Sequence, residues 1–204
     1  DRRATNHAPA SATIDANGTT LWANRTVTSG AQYIWGLAAD ALGNVVAGGS
    51  FGTIDGVPAN NIAEWNGSVW SPLGQGVNGT VLATTILPNG DLVAGGRFTF
   101  AGATAVQNIA KWDGTSWTPL GLGLDGRAVC VAALPTGGVV VSGYFTQAGG
   151  LAANNIAIWN GSTWSALGTG LNQPARKLLV APNGDLIAIG DFEIGRASCR
   201  ERVS

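Results

Sequence analysis

A unit of 47 residues recurs in phase along this chain and constrains its fold more than any other feature. Asn61-Ile-Ala-Glu-Trp65-Asn-Gly-Ser-Val-Trp70-Ser-Pro-Leu73-Gly74 returns as Asn108 to Gly121 and again as Asn155 to Gly168. Gly43, Gly90, Gly137 and Gly184 keep the same step, and Phe51, Phe98, Phe145 and Phe192 each follow eight residues later, after a Val- or Leu-rich run ending in glycine. Self-similarity at such a period marks a solenoid, propeller or array.

Each copy reads as four short strands. Thr80 to Leu87 is apolar and β-branched, closes at Pro88-Asn89-Gly90, and is followed at once by Asp91 to Gly96. Asn-Gly between two such runs predicts a hairpin with a type I′ turn, positive in φ at both central residues. Asn108-Ile-Ala-Lys-Trp112 then turns through Asp113-Gly114 into Thr115 to Leu120. A two-residue turn there pairs Trp112 with Thr115 and Ala110 with Trp117, with both indoles on one face. The inner two strands are continuously apolar, as strands covered on both faces are. A four-stranded unit of this length cannot bury both faces alone, and radial stacking into β-propeller blades solves the problem. The fold class is therefore all-β: a β-propeller arc with blades at 34–73, 81–120 and 128–167, half a blade at 178–192 and a partial one at 14–22, behind a polar segment at 1–13.

A strand ending in Gly-Gly, a loop, an aromatic-ended strand, a turn and a Trp-x-x-Leu strand together resemble a kelch-type blade of the galactose-oxidase-like propellers. The Asn-Ile-Ala-x-Trp-Asp-Gly-x-x-Trp motif is similar to repeats of large bacterial surface proteins and of the fungal cortical polarity-marker family. That resemblance implies a ring of about six or seven blades and a secreted or cell-surface setting. Residues 194–203 resemble translated sequencing adapter and are set apart from the fold. Without residues 193–204, which hold three arginines and two glutamates, net charge moves from −1 to −2. The remaining charges are sparse and mixed, which argues against a nucleic-acid partner. No apolar run is long enough to suggest a membrane span.

Antiparallel alternation puts the tight turns at one end of the blades and the long connections (53–60, 100–107, 147–154, 74–79 and 121–126) at the other. Loops on a rigid scaffold carry binding groups, so the long-loop face is the candidate functional face. One position there varies between matched copies: Ser50, Arg97, Tyr144 and Asp191, each just before the repeat phenylalanine. These four are the candidate ligand-binding residues, facing the central opening, against the plainer reading of a solvated rim.

Other constellations are weaker. His7, the only histidine, reads as solvated. The copper site of galactose-oxidase-like enzymes would need two tyrosines, two histidines and a tyrosine-linked cysteine, which this chain cannot assemble. Asp55, Glu64, Asp91, Asp125 and Asp185 are the candidates for a glycosidase carboxylate pair, with no spacing that joins two of them. Cys130 replaces Ala83 of the preceding copy and reads as a buried inert thiol. Asn17, Asn24, Asn66, Asn78 and Asn160 fit the glycosylation sequon, although turn chemistry explains Asn17, Asn66 and Asn160. Six tryptophans occupy the paired slots 65/70, 112/117 and 159/164 and read as packing residues.

No catalytic residue, metal ligand or cofactor is assigned. The reading is a non-enzymatic scaffold, extracellular or at the cell surface, that binds protein or glycan through its long-loop face. The alternatives are a propeller module of a larger secreted carbohydrate-active enzyme or oxidase, and an intracellular kelch-type adaptor.

Overall fold

A computed structural model describes residues 11–14, 20–23 and 33–193. Readings that fall on His7, Asn17, Asn24 and residues 194–203 lie outside the described residues.

Strand-forming runs punctuated by glycine turns give three antiparallel sheets of four strands. After a separate hairpin, β1 (Ser11–Ile14) with β2 (Thr20–Ala23), the first sheet orders β3 (Tyr33–Ala39), β4 (Val45–Ser50), β7 (Ile62–Trp65) and β8 (Trp70–Pro72). The second repeats it with β9 (Thr80–Ile86), β10 (Leu92–Arg97), β13 (Ile109–Trp112) and β14 (Trp117–Pro119). The third uses β15 (Ala128–Ala133), β16 (Val139–Gly143), β19 (Ile156–Trp159) and β20 (Trp164–Ala166), and β21 (Lys177–Val180) with β22 (Leu186–Ile189) forms a two-stranded sheet. The first strands of successive sheets pack side by side. The fold is a β-propeller with no helix among the described residues, hence none long and apolar enough to cross a membrane.

Within the long connections the structure adds three small hairpins that the sequence did not announce: β5 (Thr53–Ile54) with β6 (Val57–Pro58), β11 (Phe100–Ala101) with β12 (Thr104–Ala105), and β17 (Gln147–Ala148) with β18 (Leu151–Ala152). Two-residue strands leave no hydrophobic periodicity to read.

Both expected turns differ in type. Leu87 and Asp91 close the first hairpin through Leu87 N–H to Asp91 O (2.7 Å), and Gly90 alone takes positive φ, at 91°. Asn89 is not among the positive-φ residues, so this is a three-residue loop with glycine in the left-handed position, rather than type I′. In the second hairpin Trp112 pairs with Trp117 and Ala110 with Pro119, across a four-residue loop. Asp113 decides this: its Oδ1 accepts the amides of Thr115 (2.8 Å) and Ser116 (2.7 Å), building a side-chain-closed turn. The indoles still share a face, with ring centroids 5.3 Å apart.

The core lies between sheets. Val46, Ile62 and Leu73 of the first sheet cluster with Val81, Leu92 and Trp117 of the second. Leu120 and Val93 of the second cluster with Val139, Val141 and Trp164 of the third. In the second and third sheets the second tryptophan of the pair also spans the gap: Trp117 Nε1–H donates to Leu73 O (3.0 Å) and Trp164 Nε1–H to Leu120 O (2.7 Å). The first tryptophan lies over a glycine of the preceding sheet, where a Cβ on Gly74 or Gly121 would stand 3.2 Å from Trp112 or Trp159.

Candidate functional site

The face that carries the candidate residues is shaped by a defect repeated in each blade. Ladder register slips once between β3 and β4, between β9 and β10 and between β15 and β16, leaving Trp35, Leu82 and Val129 as extra residues on the first strand. Such bulges bend a strand and re-aim the side chains beyond them. Beyond each slip lie the strand ends where the variable position sits, with Ser50 opposite Tyr33 and Arg97 opposite Thr80.

Asn61, Asn108 and Asn155 pin the surrounding loops. Each has positive φ (65°, 63° and 59°), a conformation that asparagine tolerates better than most residues. Their Nδ2 groups donate to the carbonyls of Val77 (2.8 Å), Leu124 (3.0 Å) and Leu171 (2.8 Å), tying each blade to the loop that enters the next. The repeat of these asparagines was visible in the sequence, but their role in joining blades was not.

Arg97, Tyr144, Arg127, Asp125, Asn78 and Thr99 line one open cleft of about 650 Å3. Phe98 and Phe145, both buried, anchor the backbone beside Arg97 and Tyr144. Tyr144 N–H donates to Arg127 O (3.0 Å), and the Arg127 guanidinium carbon lies 4.2 Å from the centre of the Tyr144 ring. That geometry is a cation–π contact, which orients the guanidinium without occupying its N–H groups. Arg97 and Arg127 are both exposed, and neither makes an ion pair with a described residue.

The cleft's acidic and amide groups are already committed. Asn78 Oδ1 accepts the amides of Thr99 and Phe100, each at 2.9 Å. One repeat later Asp125 Oδ1 accepts Thr146 N–H (2.8 Å) and Gln147 N–H (2.9 Å), while Oδ2 accepts the Thr146 hydroxyl (2.6 Å). Partial burial pushes the Asp125 carboxyl up, but the bonds from the Thr146 hydroxyl and the Gln147 and Thr146 amides outweigh it and hold it below the usual aspartate value. Two outward guanidiniums beside an aromatic ring can therefore receive an anionic group in a geometry the laced loops hold fixed.

The structure brings Arg97 and Tyr144 to this cleft and leaves the other two sequence candidates out of it. Ser50 is half-buried at the end of β4, and Asp191 pairs with Arg176 one blade further on. Arg127 and Asn78 were missed because they precede the first strand of a blade, where the motif is weakest. The residue opposite the variable position in the hairpin ladder was the available signal.

The carboxylates considered for catalysis are dispersed. Asp91 bonds Lys111 Nζ (2.6 Å) beside a tight turn. Glu64 lies near Asp40, and burial first and Asp40's charge second push its carboxyl above the usual range. Asp40 itself accepts the Leu42 (2.9 Å) and Asn44 (2.8 Å) amides of a tight turn. At Asn66 and Asn160, Oδ1 accepts turn amides at 2.9 to 3.0 Å.

No family model matches the chain, and no curated protein matches it. Among solved structures, "YCF48 bound to D1 peptide" is similar, with a TM-score of 0.52 at 16% identity over 78% of this chain and 48% of that one. The chain thus spans about half the length of the structure it matches. The likeness is one of fold, a β-propeller, and agrees with the four-stranded blades described above.

Proposed function

We propose that this chain is a non-enzymatic β-propeller scaffold that binds an acidic segment of a partner protein through its long-loop face. The observation that carries the reading is the pair of outward guanidiniums, Arg97 and Arg127, in one cleft with Tyr144. Asp125, the carboxylate beside them, has its oxygens taken by Thr146 and Gln147, so it does not neutralise the arginines by direct pairing. A carboxylate from outside would meet two charged donors and a ring edge. Arginine is suited to this, presenting planar donors in a fixed fork.

The similar structure is YCF48 bound to a D1 peptide, which supports a peptide over a glycan as the ligand proposed here. The kelch-like motif and the low charge content support a secreted or cell-surface setting.

Peptide arrays of graded acidity, probed with the whole chain, test the reading. Binding should select Asp- and Glu-rich peptides, and Arg97→Ala or Arg127→Ala should each weaken it about tenfold. Tyr144→Ala should act more weakly, by freeing the Arg127 side chain. Equal binding of acidic and neutral peptides, or an unchanged double arginine variant, would overturn it.

A further inference from the structure

Among the described residues, the outer edge of β22 is an unpaired strand edge, and Leu167 and Gly168 offer a pair of indole seats. In each complete blade the second strand pairs outward with an Asn-Ile-Ala-x-Trp strand. Gly49, Gly96 and Gly143 then donate their amides to the carbonyls of Asn61 (2.8 Å), Asn108 (2.9 Å) and Asn155 (3.1 Å). Gly190 holds that place in the fourth sheet, and no described strand pairs with β22 on that side.

Two further features of the third blade match. The carbonyls of Leu73 and Leu120 each take an indole N–H from the next blade as well as a glycine amide. Leu167 O takes only the Gly170 amide (3.0 Å) among the described residues. Gly74 and Gly121 lie under Trp112 and Trp159, whereas no described atom lies within 4 Å of a Cβ built on Gly168. Ile189 is 63% exposed on the same half-blade.

We propose that β22, Leu167 and Gly168 form a docking edge for an outer hairpin of the repeat type, a polypeptide carrying Asn-Ile-Ala-x-Trp, a turn and a second Trp. The register follows from β16 and β19, where Val139 faces Trp159 and Val141 faces Ala157. The incoming first tryptophan stands opposite Leu186 and packs over Gly168, its alanine opposite Ala188 and its isoleucine opposite Ile189. The second tryptophan donates to Leu167 O. Alternation directs the amides of Leu186, Ala188 and Gly190 toward the incoming strand, as the Gly143 amide is directed toward Asn155. Residues 194–204 contain no such motif. An open apolar edge is a template for strand addition, and the blade geometry selects this strand.

The test adds a synthetic peptide with the sequence of residues 155–168 to the whole chain and follows amide exchange and binding. A one-to-one complex that protects Leu186, Ala188 and Gly190 is expected. The same peptide with phenylalanine at its second tryptophan should bind about fivefold more weakly, for one lost hydrogen bond. Ala188→Pro in the chain should abolish binding while β21 stays protected, since proline is tolerated on an edge whose N–H faces outward. The proposal is overturned if millimolar peptide leaves those three amides unprotected, if a scrambled peptide protects them equally, or if Ala188→Pro binds normally. Protection of the same amides that grows with chain concentration alone would place a second copy on the edge and also overturn it.

Discussion

Cys130 occupies β15, opposite Ser142, with its Sγ 3.2 Å from Ala175 O and 8% of its surface exposed. Burial pushes the thiol up, against a smaller opposing hydrogen bond at Ser142, from 9.0 to about 11. Because the folded value is raised, the group's contribution to stability is full below about 9 and is lost as pH rises through about 11. Thiolate is the reactive form, so the folded chain at pH 8 should react with iodoacetamide about a hundredfold more slowly than the urea-unfolded chain. The measurement needs a Cys199→Ser background. Cys130→Ala, which installs the Ala83 of the preceding copy, should flatten the decline of the urea midpoint between about pH 9 and 11. Fast labelling of the folded chain at pH 8 would contradict the burial argument.

The unit that joins one element to the next is the outer hairpin, and its tryptophans have separable roles. Leu120 O receives both Trp164 Nε1–H (2.7 Å) and Gly123 N–H (3.0 Å), so loss of the indole bond leaves no orphaned carbonyl. Trp164→Phe should therefore lower stability by only about 1 kcal/mol. Trp164→Ala, which empties an inter-blade site that is 5% exposed, should cost about 3 to 5 kcal/mol, both read from urea melts. The repeated four-stranded antiparallel sheets and the tryptophan slots were legible in the sequence because a 47-residue period repeats them. Turn closure was not, because Asp113 captures two amides and lengthens the loop, a side-chain choice that strand patterning does not encode. Two side chains of the cleft were legible too: variation between copies marked Arg97 and Tyr144. Arg127 stayed hidden until the strand-end geometry placed its guanidinium over the Tyr144 ring.

At the scale of the molecule, the main contacts of each four-stranded sheet among the described residues are with its sequence neighbours, so stability is approximately a sum of blade terms and interface terms. The second sheet is covered on both sides, by the cluster with the first sheet and by the cluster with the third. The first sheet instead exposes Tyr33, Trp35 and Leu37, and the fourth exposes Leu179, Ile187 and Ile189. Uncovered apolar faces forfeit burial worth roughly 25 cal/mol per Å2, so opening should start at the flanks and move inward. Native-state hydrogen exchange should then rank β9, β10, β15 and β16 as slowest, β3 and β4 as intermediate, and β21 and β22 as fastest, since the last sheet also lacks an outer hairpin among the described residues. Trp117→Ala cuts the interface between the first and second sheets, because it removes the indole that reaches Leu73. It should speed exchange in β3 and β4 far more than in β15 and β16. A chain whose protected amides all opened with one common free energy, in both the parent and this variant, would be a single cooperative unit rather than a nearest-neighbour array.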